Sequence, residues 1–344
     1  MRQLDIQTQS PIVSRRTMRP KQSPWREALR QAFRQPDELL EFLGLPRQEP
    51  EGSPAPRFPM LVPREFVRRM EPGNRRDPLL LQVLPEQSEL EDIQGFVSDP
   101  VGDRDSRQAR GLLHKYAGRV LVITTGACAV HCRYCFRQEF PYGTEHAGAD
   151  RWQAAIRYIA SQTDIREVIL SGGDPLMLST THLKAFTDQL AGIGHVRRLR
   201  LHTRLPVVLP ARVTETLCEW ISSLPWPVVT VIHANHAKEF DEEVDRAMAD
   251  LHQAGASLFN QTVLLAGIND TSGELVELME RSFSARVVPY YLHLLDRVRG
   301  TARFDCDRQH ALALHETMRV QLPGYLVPRL VREKAGAPYK LPVI

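Results

Sequence analysis

A chain of 344 residues, 42% hydrophobic and 25% charged, has the composition of a soluble globular protein and the length for one large α/β domain plus an extension. Its 44 basic and 41 acidic side chains leave a net charge of only +3, which gives no ground for nucleic acid or an anionic membrane as partner. Apolar runs of about 18 or more, the length that spans a bilayer, are absent from the sequence, and five cysteines, three of them clustered, do not make a disulfide framework.

Residues 1–105 are dense in proline and charge, as in Pro46-Arg-Gln-Glu-Pro50 and Pro54-Ala-Pro-Arg-Phe-Pro59. Arg15-Arg16 is no twin-arginine signal, because no apolar stretch follows it. Short helices are predicted over 25–33, 36–43 and 63–70. The run Leu79-Leu-Leu-Gln-Val-Leu84 is too apolar for a disordered arm throughout, so the stretch reads as a helical N-terminal extension.

From Arg119 onward, apolar runs of roughly four to eight residues alternate with amphipathic segments of ten or more. Strands are predicted over 119–124, 166–170, 198–202, 228–233, 257–264 and 286–292. Helices are predicted over 149–162, 180–192, 213–223, 241–254, 272–284 and 307–321, with an extended run at 326–331. The alternation implies an α/β fold with parallel strands and right-handed crossovers, here an incomplete (β/α)6 barrel. The expected division is extension 1–105, barrel 106–325 and C-terminal tail 326–344. In such barrels the functional groups sit at the C-terminal ends of the strands.

The first strand runs into Cys128, Cys132 and Cys135, spaced C-x3-C-x2-C. Three thiolates on one short loop can face a single point and bind a soft metal. A structural zinc site is one reading, with His131 as fourth ligand, although no second cysteine pair is present. A four-iron cluster is the other, its fourth iron left without a protein ligand. Two residues on, Arg137 has the planar fork that grips a carboxylate. The second strand ends in Ser171-Gly172-Gly173-Asp174, where glycines admit a close backbone approach. The third leads into His202-Thr-Arg-Leu-Pro, the fourth ends in His233-Ala-Asn-His236, and the fifth carries Asn260-Gln261-Thr-Val-Leu-Leu. Singly, such residues are ordinary turn and core polar groups; at consecutive strand ends they make a polar mouth. The tail carries Lys340 in Gly-Ala-Pro-Tyr-Lys-Leu-Pro, which on its own is a solvated lysine. Cys218 and Cys306 are isolated thiols.

Taken together these segments resemble the radical S-adenosylmethionine (SAM) superfamily, in which CxxxCxxC binds a [4Fe-4S] cluster, SAM fills the open iron, and an aromatic residue, here Tyr134, precedes the last cysteine. Ser171–Asp174 resembles the family's SAM-binding glycine segment, with Asp174 in place of Glu. Over 115–340 the chain resembles the lysine 2,3-aminomutase family, and within it the short branch linked to β-lysylation of elongation factor P. The resemblance implies that Cys128, Cys132 and Cys135 hold the cluster and that Ser171, Gly172, Gly173, Asp174, His233 and Gln261 contact SAM, with Arg204 organising the mouth. It implies that Lys340, rather than Lys334, is the catalytic lysine that binds pyridoxal 5′-phosphate (PLP), whose phosphate meets Lys115, Tyr116 and Arg119. A lysine amine can form a Schiff base with the PLP aldehyde. Arg137 is implied to take the carboxylate of free lysine, and Asp296 and Glu333 its distal ammonium. Glu333 departs from the usual Asp and adds a methylene.

The implied reaction converts L-α-lysine to (R)-β-lysine, with a flavodoxin- or ferredoxin-type electron donor, a ligase that delivers the product to elongation factor P, and a reducing, cytoplasmic setting. A homo-oligomer is compatible with this reading. The tail stops four residues after Lys340, without the extension that carries zinc ligands in other members. Glutamate or arginine as substrate, and a non-catalytic zinc protein, are the competing readings.

Overall fold

The computed structural model describes residues 23–47, 58–145 and 149–344; Arg15-Arg16 and parts of both proline-rich stretches lie outside them. Ten strands form one sheet in sequence order: β1 (Arg107–Ala109), β2 (Leu112–Tyr116), β3 (Arg119–Thr125), β4 (Glu167–Gly172), β5 (Arg198–Thr203), β6 (Val228–Ile232), β7 (Ala256–Val263), β8 (Val288–His293), β9 (Arg329–Arg332) and β10 (Leu341–Pro342). From β3 to β9 every pairing is parallel, while β1 and β2 at one edge and β10 at the other pair antiparallel. No ladder joins β10 to β1, so the barrel is incomplete, with six strand–helix units between β3 and β9.

Five barrel helices begin on a side chain that accepts from an early backbone N–H: Ser179 before Thr180–Ala191, Thr214 before Glu215–Ser222, Asp241 before Glu242–Gln253, Thr271 before Ser272–Ser284 and Asp307 before Arg308–Gln321. β4 is buried on both faces, as a central parallel strand must be. The last predicted barrel strand starts two residues late, because Arg286 adopts a left-handed φ of 65° and cannot open a ladder. The predicted run 326–331 is split, a tight turn at Gly324–Leu326 preceding β9.

Two features escaped the periodicity argument. The β2–β3 hairpin alternates poorly because His114 and Lys115 interrupt it; its only signal is the Ala117-Gly118 turn, with Gly118 at φ 74°. β10 is two residues long and contains a proline. The N-terminal helices Pro24–Arg30, Pro36–Phe42 and Arg64–Val67 are shorter than predicted, and a fourth, Pro78–Leu81, is capped by Asp77. They do not stand apart. Trp25, Leu39, Phe66 and Leu79 belong to the same hydrophobic core as Leu170, Leu201 and Val207 of the barrel. Arg69 Nη2 reaches across to donate to the Val207 carbonyl at 2.7 Å.

Candidate active site

A cavity of about 450 Å³ opens at the C-terminal ends of the parallel strands and reaches down to Arg119. Every site residue expected from sequence lines it: Cys128, Cys132 and Cys135; Ser171, Gly172, Gly173 and Asp174; His233 and Gln261; Lys115, Tyr116 and Arg119; Arg137, Asp296, Glu333 and Lys340. Lys334, the competing tail lysine, is exposed and outside it.

The cysteine loop is held from behind by the N-terminal extension. The amide of His131 donates to Leu61 O at 2.9 Å and that of Arg133 to Gln82 O at 2.8 Å. Arg133 is fully buried; its Nε donates to Glu89 Oε1 at 3.0 Å and its Nη1 to Phe58 O at 2.8 Å. His131 hydrogen-bonds the Pro59 carbonyl at 2.9 Å and packs on Phe58, so its ring lies on the extension's side of the loop. The three cysteines face the cavity.

Burial, the neighbouring sulfurs and Asp174 lift the Cys128 thiol well above its usual range; burial and Cys132 push Cys135 up to about 11. Three clustered thiols, two of them held from ionising by burial, are a donor set that a cationic metal centre relieves. Part of the relief is already built in. Arg204, itself buried, donates to Cys132 Sγ at 2.7 Å, to Gln82 Oε1 at 2.6 Å and to Glu239 Oε2 at 2.9 Å. The donors fit a [4Fe-4S] cluster bound through three cysteines.

The glycines of the β4 loop make a close approach, but to the cysteine loop rather than to open space. A Cβ on Gly173 would lie 2.3 Å from the Ala127 carbonyl oxygen, and one on Gly172, at φ 120°, 2.6 Å from Thr125 O. The amides of Gly173 and Asp174 donate to Thr125 O and Ala127 O at 2.7 and 2.8 Å. The Asp174 carboxylate is saturated by the Thr203 hydroxyl and the amides of Leu176, Arg204 and Leu205, at 2.7–3.1 Å. It fastens the β4 loop to β5, and burial, offset by those donors, raises its pKa.

His233 is pushed down to about 3 by burial and by the charges of Arg204, Lys340 and Arg137, so its imidazole is neutral. Its neighbours in the motif are structural. Asn235 bridges Gln82 and Val263, and His236 caps a short turn at Lys238. Of the polar residues in the His233–His236 and Asn260–Gln261 segments, His233 and Gln261 are the ones that face the cavity.

A second stretch of the lining is a row of alternating charges. Lys340 Nζ lies 2.7 Å from Glu333 Oε2, Glu333 Oε1 lies 2.9 Å from Lys115 Nζ, Lys115 lies 2.6 Å from Asp103 Oδ1, and Asp103 Oδ2 lies 2.7 Å from Arg137 Nε. Burial opposes the Glu333 charge, yet Lys340 and Lys115 hold its carboxyl well below the usual range. Among the described residues Asp296 has no such partner in contact; burial and the charge of Glu333 push it up to about 7. Arg119 stacks over Tyr116 with its guanidinium 4.6 Å from the ring centre. The tail reaches the cavity because Leu341 and Pro342 pair with Arg332 and Val331, while Val343 is buried in the core. Lys340 and Arg119, each beside an aromatic ring, and Lys115 fit a phosphate-bearing aldehyde held at the tail.

Sequence reasoning missed Asp103, Gln82, Glu239 and Glu89, single polar residues in stretches without periodicity. It also passed over His202 and His293 as ligand contacts. Both line the cavity, burial pushes both well below the usual range, and among the described residues Nε2 of each meets no partner. Unpaired strand-end polarity was the available signal.

The chain matches the family model described as the radical SAM superfamily over residues 122–280. It is 43% identical over 327 residues to an L-lysine 2,3-aminomutase of Escherichia coli (strain K12), covering 94% of this chain and 95% of that protein. It is 41% identical to an L-lysine 2,3-aminomutase of Haemophilus influenzae, over 97% and 98% of the two chains. Among solved structures, a radical SAM methyltransferase from Sphaerobacter thermophilus aligns with a TM-score of 0.45 at 14% identity, over 64% of this chain and 68% of that one.

Proposed function

The chain belongs to the radical SAM superfamily and, within it, to the L-lysine 2,3-aminomutase family, and on that premise we propose that it moves the α-amino group of L-lysine to the β carbon, giving (R)-β-lysine for attachment to elongation factor P by a ligase. It is an isomerase, and its cofactors are a [4Fe-4S] cluster, SAM and PLP. The observation that carries the reading is that the cysteine trio and Lys340 line one cavity.

When bound, the cluster and SAM supply one-electron chemistry able to remove hydrogen from an unactivated carbon, and PLP carries the nitrogen that moves. The chain's own residues do the holding. Cys128, Cys132 and Cys135 bind the cluster, with the Arg204 cation against Cys132. The backbone of Ser171–Gly173, with His233 and Gln261, contacts SAM, and Asp174 acts by fixing that backbone. Lys340 offers the amine that binds PLP, and Lys115, Tyr116 and Arg119 face its phosphate. Arg137 takes the substrate carboxylate, and Asp296 and Glu333 take the distal ammonium. Two acids at that end suit a substrate with a remote cation and oppose one, such as glutamate, with a remote anion. A flavodoxin- or ferredoxin-type protein supplies the electron, in the reducing cytoplasm; nucleic acid and membrane play no part. No helix among the described residues is long and apolar enough to cross a membrane.

The test is product analysis after anaerobic reconstitution with iron, sulfide and PLP, adding SAM, a reductant and one amino acid at a time. β-Lysine of the R configuration is expected. Turnover of arginine or glutamate without β-lysine ends the substrate assignment, and protein that stays colourless after reconstitution ends the cluster assignment.

A further inference from the structure

Arg137 has five N–H donors and only part of that fork can face a ligand. Its Nε is occupied by Asp103 Oδ2 at 2.7 Å, while Nη1 sits 3.4 Å from Ser171 Oγ on the cavity wall. We propose that Asp103 is a positioning residue: it takes the Nε edge of Arg137 and so presents the two terminal nitrogens to the substrate carboxylate. This rests on the reading of Arg137 as the carboxylate grip.

Asp103 is built to do this. It is 2% exposed, and its backbone is fixed before any ligand arrives. Its amide donates to Asp99 Oδ1 at 2.9 Å, and the next amide donates to Asp99 Oδ2 at 2.9 Å. Gly102, at φ 68°, packs so tightly on the tail that a Cβ there would lie 2.9 Å from the Ala335 side chain. The second carboxylate oxygen is 2.6 Å from Lys115, whose ammonium also donates to Val101 O and Glu333 Oε1, both at 2.9 Å. Asp103 therefore fixes two cations from different elements, one at the end of β2 and one beyond the last cluster cysteine. It also registers the carboxylate grip against the tail that carries Lys340. It touches neither substrate nor cofactor; its effect passes through Arg137.

Lysine amide, which lacks the carboxylate, separates this role from a merely structural ion pair. Binding to the PLP- and cluster-loaded protein is measured by calorimetry without SAM, so that nothing turns over. Wild-type protein is expected to prefer lysine to lysine amide. Asp103→Asn should lose about 10- to 100-fold in affinity for lysine, the worth of one well-placed charge-assisted contact, and leave lysine amide binding unchanged. Equal weakening of both ligands, or of neither, overturns the proposal. A wild-type protein indifferent to the carboxylate instead overturns the reading of Arg137, and the proposal with it. Should Asp103→Asn fail to fold, Asp103→Glu keeps the charge but shifts it by one methylene. Its lysine-to-amide ratio should fall several-fold with the melting temperature held, and an unchanged ratio counts against positioning.

Discussion

The two walls of the cavity solve opposite electrostatic problems. On the sulfur wall, burial and the neighbouring sulfurs raise the Cys128 and Cys135 thiols, and Arg204 donates to Cys132. On the tail wall, five charges alternate from Lys340 to Arg137 and are already paired. The sulfur wall is incomplete until a cation arrives, so its ligand is demanded by the protein. The tail wall is complete in itself, and its ligands have to displace internal partners. Lys115 shows the second case most clearly, since its ammonium already donates to Val101 O and Glu333 Oε1 and lies 2.6 Å from Asp103 Oδ1.

The sharpest way to break the comparison is to remove one ligand from each wall. Cys132→Ala should abolish the iron–sulfur chromophore and reduce lysine turnover to background, yet still bind PLP. Lys340→Ala should keep the chromophore and lose the visible absorbance of lysine-bound PLP, again with background turnover. Loss of both signals in either variant means the walls are not independent.

Asp296 gives the next largest effect. Its pKa is raised to about 7 in the folded protein by burial and Glu333, whereas an unfolded carboxyl ionises near 3.9, roughly. The unfolded chain therefore releases its proton first as pH rises, and stability on this account is full below about 4 and falls away towards 7. In cofactor-free protein, Asp296→Asn should be more stable than wild type at pH 8, by a few kcal/mol at about 1.4 per pKa unit, and unchanged at pH 4. Thermal melts at the two pH values decide it; an equal shift at both contradicts the assignment. The preference for lysine over norleucine, which lacks the distal ammonium, should also grow between pH 6 and 8 as Asp296 ionises.

Smaller again is Gly173→Ala. The new methyl collides with a backbone carbonyl that cannot swing aside, so the variant should lose about 1–3 kcal/mol and retain iron less well during reconstitution. Normal iron content with an unchanged melt would show that the two loops part more easily than their hydrogen bonds suggest. Lys334→Ala should change nothing in PLP absorbance, being exposed and outside the cavity; a lost band there would move the PLP lysine.

The sulfur wall was legible in the sequence because its chemistry is contiguous: C-x3-C-x2-C needs one loop, and the strand before it is a plain apolar run. Lys340, Arg137 and Glu333 could be placed only by resemblance, since nothing in their spacing says that they meet. The six strand–helix units were readable from hydrophobic period. The edges of the sheet were not, because β2 is interrupted by the Lys115 that the site uses, and β10 is set by pairing with β9 rather than by its own propensity. The glycines were read as a close backbone approach to a ligand; they line the cavity, and the sequence did not show that the space at their Cα is also taken by the neighbouring loop. Asp103, Gln82 and Glu89 were invisible, because each is one polar residue whose partner lies at least 30 positions away.

A row of alternating charges cannot be edited one member at a time. Neutralising Asp103 leaves Lys115 and Arg137 facing each other; replacing Glu333 releases Lys340 and Lys115 together. Effects at these five positions should therefore fail to sum, and a second change that looks harmful alone can rescue the first. Redesign of the substrate pocket has to treat the row as one heritable unit, and a shorter acid at 333 asks for matching adjustment in its neighbours.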